Sequence, residues 1–272
     1  MSRAVFKTEE GKDQILRFYD GMLKKYPIAN QSHIDTEQGR TFVLSAGEPE
    51  NPPLVLIHGS GSNSLAWMGE IEKLSQTHRV HCIDIPGEPG KSESVRFDST
   101  REAFSLWIDD IVKGLKLKKP LIGGLSLGGW AAIAYAISHP DKVSGVIALA
   151  PTGIVKPKTG FLIRTIFYSM RGEKGIRKLL SIMFDGEPVP EEVVEFQLLA
   201  TRHFHFRMDT PSLFTDRELQ NLKVPLTYVC GKEDYVFDGS KAVRRLNKIN
   251  PAIRTALTDK GHALTDIREF LL

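Results

Sequence analysis

A serine set among glycines is the clearest chemical signal in the sequence. Residues 124–128 read GLSLG, a G-x-S-x-G pattern that follows an apolar run and opens the helix-like stretch LGGWAAIAYAISHP. A serine on such a strand-to-helix turn is held in a strained conformation that projects its hydroxyl above the sheet. Larger side chains at Gly124 and Gly128 would clash with the neighbouring backbone. The pattern therefore predicts Ser126 as a catalytic nucleophile.

A serine hydroxyl reacts only when a base removes its proton, and that base needs an orienting carboxylate. For a nucleophile on this kind of turn, the partners follow along the chain in the order acid, then histidine. Of eight histidines, only His262, in the loop DKGHAL, follows a plausible acid. Asp234 lies three residues after the apolar run LTYVCG and is the predicted acid. Asp238, further along the same loop, is the alternative.

The reaction also needs backbone amides that stabilise an oxyanion, each donor contributing about 3–4 kcal/mol. Leu127 directly follows the nucleophile, and its amide is the first predicted donor. The second is the amide of Ser60 in LIHGSGSN, with Gly61 as the alternative. His58 in the same loop is interpreted as a structural residue.

Short apolar runs separated by helical patterns predict a mostly parallel sheet covered by helices on both faces. A helix over 8–25 and a hairpin over 32–47 precede them. The runs are 52–59, 79–87, 119–126, 143–151, 224–231 and 252–262, and the clearest helical stretches between them are 66–77, 99–116, 127–139 and 239–249. Right-handed crossovers bring all the carboxyl ends of these strands to one edge.

The alternation stops between residues 152 and 221, where only helical pieces are found. They cover 161–171, 173–184 and 190–202. The segment 152–221 is therefore predicted to be a helical cap on a core made of 1–151 and 222–272. Its side chains are candidates to line an apolar substrate pocket: Phe161, Phe167 and Phe204 first, with His203 and His205 as further residues that could contact substrate.

Composition excludes several classes of protein. The chain has 272 residues and a net charge of +3, without the clustered positive charge of a nucleic-acid binder. No secretory signal, membrane-spanning run or metal-ligand spacing is evident, which predicts a cytoplasmic protein without a metal. Cys82 and Cys230 are expected to be buried thiols. Residues 156–178 carry seven Lys or Arg against Glu173 alone. We interpret them as a solvated face, with a preference for acidic substrates or membrane surfaces as the alternative.

The motifs LVLIHGSGSN, DIPGEPGKSE, GLSLGGW, VPLTYVCGKEDYVF and KGHAL occur in that order. In these the chain resembles the α/β-hydrolase-fold enzymes that carry a cap, and it is most similar to small bacterial carboxylesterases. The resemblance implies an eight-stranded sheet, a helical cap and a triad of Ser126, Asp234 and His262. Two departures are a short final helix over 263–272 and Glu88-Pro89 in place of a more usual aromatic-Gly, which is expected to reshape the loop near the site entrance.

The expected activity is hydrolysis of small to medium apolar carboxylic esters through an acyl-enzyme, without a cofactor. Within the resembled family the same triad also cleaves carbon–carbon bonds, thioesters and lactones, so these remain alternatives. A further alternative is a non-catalytic protein that binds a small hydrophobic ligand. The expected partner is a small ester molecule, and neither nucleic acid binding nor stable membrane insertion is expected. The sequence does not indicate the oligomeric state.

Overall fold

Eight strands form one sheet in the computed structural model, which describes residues 4–25 and 30–271. The strands are β1 (Asn30–Ile34), β2 (Thr41–Ala46), β3 (Pro53–Ile57), β4 (Arg79–Ile83), β5 (Leu121–Leu125), β6 (Gly145–Leu149), β7 (Leu226–Gly231) and β8 (Arg254–Thr258). Their spatial order is β1-β2-β4-β3-β5-β6-β7-β8. The hairpin β1–β2 and the pair β2–β4 are antiparallel, and the remaining pairs are parallel. The predicted fold class is confirmed.

Nine α-helices are found among the described residues, on both faces of the sheet and within residues 152–221. They are α1 (Glu9–Lys25), α2 (Met68–Leu74), α3 (Arg101–Gly114), α4 (Leu127–Ser138), α5 (Phe161–Ser169), α6 (Gly172–Met183), α7 (Glu191–His203), α8 (Asp216–Gln220) and α9 (Gly239–Ile249). The central strands have almost no exposed residue because helices lie on either side of them. No helix in the described part of the chain is long and apolar enough to cross a membrane.

Each of the six predicted apolar runs contains an observed strand, and all of them except 224–231 extend past its carboxyl end, while the predicted hairpin over 32–47 begins two residues after β1 does. The run 79–87 becomes a strand only as far as Ile83, although Ile85 is also fully buried. The amide of Ile85 donates to Nε2 of His58 at 2.9 Å. A buried apolar residue can therefore belong to a loop when a side chain accepts its amide hydrogen bond, as happens here at the edge that carries the site.

The predicted final helix over 263–272 is wrong for the residues that the structure describes, which end at residue 271. Only a single 3₁₀ turn, Arg268–Phe270, forms there. The carboxylate of Asp266 accepts the Arg268 amide at 3.1 Å, and this local side-chain bond replaces the start of a longer helix. Ile267 and Phe270 nevertheless pack into the main core.

The N-terminal helix joins the predicted cap to the core. Phe18 of α1 lies 6.1 Å from Phe196 of α7 between ring centroids, and Phe6 contacts Phe204 edge-on at 5.6 Å. These rings form a small apolar cluster separate from the main core. The same helix also buries Tyr19, whose hydroxyl donates to the core residue Asp84 at 3.0 Å. Residues 152–221 therefore pack against the N-terminal segment, which in turn packs against the core. The sequence pattern did not predict this connection.

Candidate active site

Ser126 occupies the turn between β5 and α4, at the carboxyl edge of the sheet. Its backbone has φ 53° and ψ −108°, a region that residues with a side chain rarely adopt. The surrounding backbone holds it there. The Ser126 amide donates to the carbonyl of Leu149 at 2.9 Å, while its carbonyl accepts from the amides of Trp130 and Thr152 at 3.0 and 3.2 Å. The strained turn expected from the sequence is present, and the serine side chain is partly exposed.

The glycines on either side allow α4 to approach the sheet closely. A Cβ added at Gly128 would lie 2.2 Å from the carbonyl oxygen of Ile57 in β3. One added at Gly124 would lie 2.3 Å from the carbonyl carbon of Gly128. These neighbours are backbone atoms of a buried sheet and helix, so they cannot move aside. The predicted need for glycine at both positions is confirmed.

Asp234 and His262 form a buried hydrogen-bonded pair. Nδ1 of His262 lies 2.9 Å from Oδ2 of Asp234, and both side chains are almost fully buried. The other carboxylate oxygen, Oδ1, accepts the amides of Val236 and Phe237 at 2.7 and 2.8 Å. Asp238 instead accepts the Lys241 amide and caps the first turn of α9. Of the two candidate acids, the structure therefore brings Asp234 to the histidine.

The surroundings of Asp234 favour its charged form. Burial alone would raise the pKa of Asp234, but the His262 hydrogen bond and charge and the two amides outweigh it, so this pKa lies below its usual value. Burial, followed by the Asp234 charge, raises the pKa of Cys230 to about 12. The thiol of Cys230 therefore stays protonated and can donate to the carboxylate, 3.4 Å away.

Ser126 and His262 reach the same edge from β5 and β8, with two strands between them. No hydrogen bond joins the Ser126 hydroxyl to the His262 ring among the residues described. In substrate-free sites such bonds are often long and tighten only when substrate binds. The histidine loop is anchored to α6, because the amide of Ala263 donates to the carbonyl of Met183 at 3.0 Å.

The two predicted oxyanion donors lie on elements beside the nucleophile. Leu127 is the first residue of α4, so its amide has no acceptor within the helix. Ser60 lies in the exposed turn after β3. That turn passes against the nucleophile, since a Cβ added at the neighbouring Gly59 would lie 3.4 Å from Cβ of Ser126. Gly61, the alternative donor, already gives its amide to Oε2 of Glu88 at 2.6 Å.

Glu88 and Arg207 form a buried ion pair that the sequence analysis did not predict. Their side chains are 0% and 3% exposed, and Nε of Arg207 donates to Oε1 of Glu88 at 3.1 Å. Arg207 also contacts Ser99 and Asp209, while its Nη2 is buried without a partner in the described residues. The unusual Glu88-Pro89 was visible in the sequence. Arg207, which pairs with Glu88, lies 119 positions further along the chain, and no local sequence pattern connects the two residues.

Both backbone groups of Gly61 are hydrogen-bonded to side chains. Glu88 accepts its amide, and Nε2 of Gln197 in α7 donates to its carbonyl at 3.4 Å. Gly61 has φ +71°, and the ring of Phe206 fills the space where a side chain would project. Residues of the predicted cap therefore contact the loop that carries Ser60.

The three predicted pocket phenylalanines lie in different surroundings. Phe161 packs edge-on against Tyr235 at 5.7 Å, next to the acid loop. Phe167 is half exposed, with the guanidinium of Arg171 over its ring. Phe204 is buried in the cluster formed with α1. Phe161 and Phe204 thus belong to two different apolar clusters, and the lining of a substrate pocket by these three residues stays a prediction.

The remaining histidines fill structural positions or are exposed. Nε2 of His58 accepts the Ile85 amide, so Nδ1 carries the proton and donates to the carbonyl of Gly59 at 2.7 Å. His58 is therefore a structural residue, as predicted. His203 packs against Gly11 of α1, and His205 is exposed. Within residues 4–25 and 30–271, no three His, Cys, Asp or Glu side chains cluster in a way that could hold a metal ion.

Comparisons with known proteins agree with this architecture. The model of the alpha/beta hydrolase family matches residues 54–267. A Bacillus subtilis (strain 168) protein named uncharacterized carboxylesterase nap is 27% identical over 282 residues, covering 97% of this chain and 92% of that protein. Carboxylesterase YbfK of the same organism is 26% identical, covering 92% and 88%. The crystal structure of carboxylesterase CesB (YbfK) from Bacillus subtilis superposes with a TM-score of 0.85 at 23% identity, over 96% and 95% of the two chains.

Proposed function

The chain belongs to the alpha/beta hydrolase family, and we propose that it is a serine carboxylesterase whose triad is Ser126, Asp234 and His262. One observation carries the proposal: the buried Asp234–His262 pair, 2.9 Å between oxygen and nitrogen, lies at the edge of the sheet where Ser126 sits on its strained turn. The similarity to two proteins named carboxylesterases supports the ester-cleaving activity.

The reaction follows from the proton positions. The Asp234 carboxylate accepts a hydrogen bond from the protonated Nδ1 of His262. This fixes the tautomer, so Nε2 is free to take the proton of the Ser126 hydroxyl. The serine oxygen then attacks the acyl carbonyl, and the carbonyl electron pair moves to the oxyanion. When the tetrahedral intermediate collapses, the alcohol leaves with the proton from Nε2. Water repeats the two steps and releases the acid and the free serine.

The backbone amides of Leu127 and Ser60 are the proposed oxyanion donors. The Leu127 amide lies at the N-terminus of α4, where the helix dipole also favours negative charge. Glu88 occupies the Gly61 amide, which leaves Ser60 as the donor on this loop. Small to medium apolar esters are the proposed substrates, held beneath a lid formed by residues 152–221 on the core of 1–151 and 222–272. The cytoplasmic location and the absence of a cofactor stay predictions.

A panel of chromogenic esters with acyl chains of increasing length tests the proposal. The wild type is expected to turn over the short and medium esters and to be labelled covalently by a fluorophosphonate. Ser126→Ala should lose both properties, and Asp234→Asn should lower kcat by about 10⁴-fold because the imidazole takes the wrong tautomer.

Ser144→Ala is the matched control, since Ser144 is an exposed serine before β6, at the opposite edge of the sheet. It should retain full turnover and labelling. A folded wild-type protein that neither hydrolyses any ester nor reacts with the fluorophosphonate would refute the esterase proposal and favour a binding role.

A further inference from the structure

An apolar patch lies on the outer side of α5. Among the described residues ten large hydrophobic side chains are exposed, and five of them fall between positions 162 and 170. They are Leu162, Ile163, Ile166, Phe167 and Met170, with Ile163 and Met170 the most exposed at 74% and 81%. We call these five residues the α5 patch. Concentration of large apolar side chains on one surface is a mark of an interaction site.

The geometry of the helix gathers the patch on one face. At 3.6 residues per turn, the five side chains fall within an arc of about 140° around the helix axis. Phe161 and Tyr168 project from the opposite side and pack against the main core. Because these contacts fix the helix from beneath, the α5 patch faces solvent in the folded protein.

Two arginines border this arc. Arg164 and Arg171 follow Phe167 around the helix, and the guanidinium carbon of Arg171 lies 4.2 Å from the centre of the Phe167 ring. Neither arginine takes part in a salt bridge among the described residues, whereas Arg177 on α6 is paired with Glu173 and Glu191. The apolar face is therefore edged by two arginines that form no salt bridge with the part of the chain that the structure describes.

The helix begins beside the acid loop of the candidate site. Nζ of Lys158, just before α5, donates to the carbonyl of Asp234 at 2.6 Å, and the Lys158 amide donates to the carbonyl of Val236 at 2.7 Å. A surface that contacts the α5 patch would thus lie close to the entrance of the site.

We propose that the α5 patch docks on an anionic phospholipid bilayer. Apolar side chains on one face of a helix bury themselves at the boundary between headgroups and acyl chains. Arginines beside them are attracted by anionic headgroups and would set the preference for a negatively charged leaflet. The charge complementarity favours this partner over a second copy of the chain, whose α5 patch carries the same positive charge. Docking of this kind is peripheral and leaves the rest of the chain in water.

Flotation of the full chain with vesicles tests the proposal without any turnover measurement, so its outcome does not depend on the proposed function. Wild-type protein should float with vesicles of phosphatidylcholine and phosphatidylglycerol in equal parts, and much less with phosphatidylcholine alone. The double variant Ile163→Ser, Met170→Ser should lose this binding. Arg164→Gln with Arg171→Gln should weaken binding to the anionic vesicles about thirtyfold, and added salt should also weaken it.

The control variant is Val95→Ser with Leu106→Ser, which removes two other exposed apolar side chains, 42% and 39% exposed, outside α5. It should bind like the wild type. An unchanged unfolding midpoint shows that each variant is folded. No flotation of the wild type, equal flotation with both vesicle types, or equal loss in the control variant would each overturn the proposal. The proposal would also be overturned if the protein did not bind vesicles but self-associated through Ile163 and Met170.

Discussion

Replacing Ser126 by glycine should stabilise the protein relative to replacing it by alanine. A residue with a side chain held in a sparsely populated backbone region costs about 1–3 kcal/mol, and Ser126 has φ 53° and ψ −108°. Alanine keeps the Cβ and therefore keeps this cost, whereas glycine removes it. Glycine also makes the unfolded chain freer, which costs about 0.4–1 kcal/mol. The net expectation is a free energy of unfolding that is higher for Ser126→Gly than for Ser126→Ala, by up to about 2.5 kcal/mol.

Equilibrium unfolding in guanidinium chloride measures this difference, provided that both variants show the same m-value. Both variants lack the hydroxyl, so neither should hydrolyse esters, and catalysis does not enter the comparison. Ser138 supplies the control, because it is the last residue of the same helix α4. There glycine should be less stable than alanine, by at most the roughly 0.5–1 kcal/mol that glycine costs in the middle of a helix. If glycine were also the less stable residue at position 126, the reasoning from backbone strain at the turn would be wrong.

Three other predictions follow from buried groups. Glu88→Gln should cost up to about 3–5 kcal/mol in unfolding free energy, because it leaves the buried Arg207 guanidinium with only the half-exposed Asp209 carboxylate as an ion-pair partner. Adding Arg207→Met should recover part of this loss, and additive losses in the double-mutant cycle would contradict the pairing. Burial, followed by the Arg79 charge, lowers the pKa of His81 to about 4 from its usual value of 6.5. As the pH falls, His81 is therefore protonated in the unfolded chain before it is protonated in the folded protein. Stability should therefore fall by about 3 kcal/mol between pH 6.5 and 4, and His81→Gln should flatten that part of a chemical-denaturation series. Gly128→Ala should abolish soluble folded protein, as judged by expression and circular dichroism, since its Cβ would meet a backbone oxygen at 2.2 Å; Gly21→Ala, in open space on α1, should fold normally.

The sheet was predictable because its strands are short apolar runs with turn residues between them. Asp234 was chosen over Asp238 from its distance to the end of β7, and the structure shows why the two differ. The turn after Gly231 points the Asp234 carboxylate at the amides of Val236 and Phe237. Four residues later, Asp238 directly precedes α9, and its carboxylate caps the helix by accepting the Lys241 amide.

The helix α8 was missed although the sequence contains its signal. Thr215 and Glu218 form a reciprocal capping box, the T-x-x-E pattern that marks a helix start. The helix is only five residues long and lacks a long apolar period, so periodicity alone did not find it. The Glu88–Arg207 pair had no signal of this kind, because a single charge in a loop does not indicate which distant cation will meet it.

The same pair links the predicted cap to the proposed oxyanion donor. Glu88 holds the amide of Gly61 while Arg207, beyond α7, holds Glu88; Gln197, within α7, holds the carbonyl of Gly61. The segment that carries α7 and Arg207 is therefore linked to both backbone groups of Gly61, to the carbonyl directly through Gln197 and to the amide through Glu88. If this segment moves, either the bonds Gln197–Gly61 and Arg207–Glu88 break or Gly61 moves with it. Because Ser60 directly precedes Gly61 in the chain, we expect the orientation of the Ser60 amide to depend on the position of this segment.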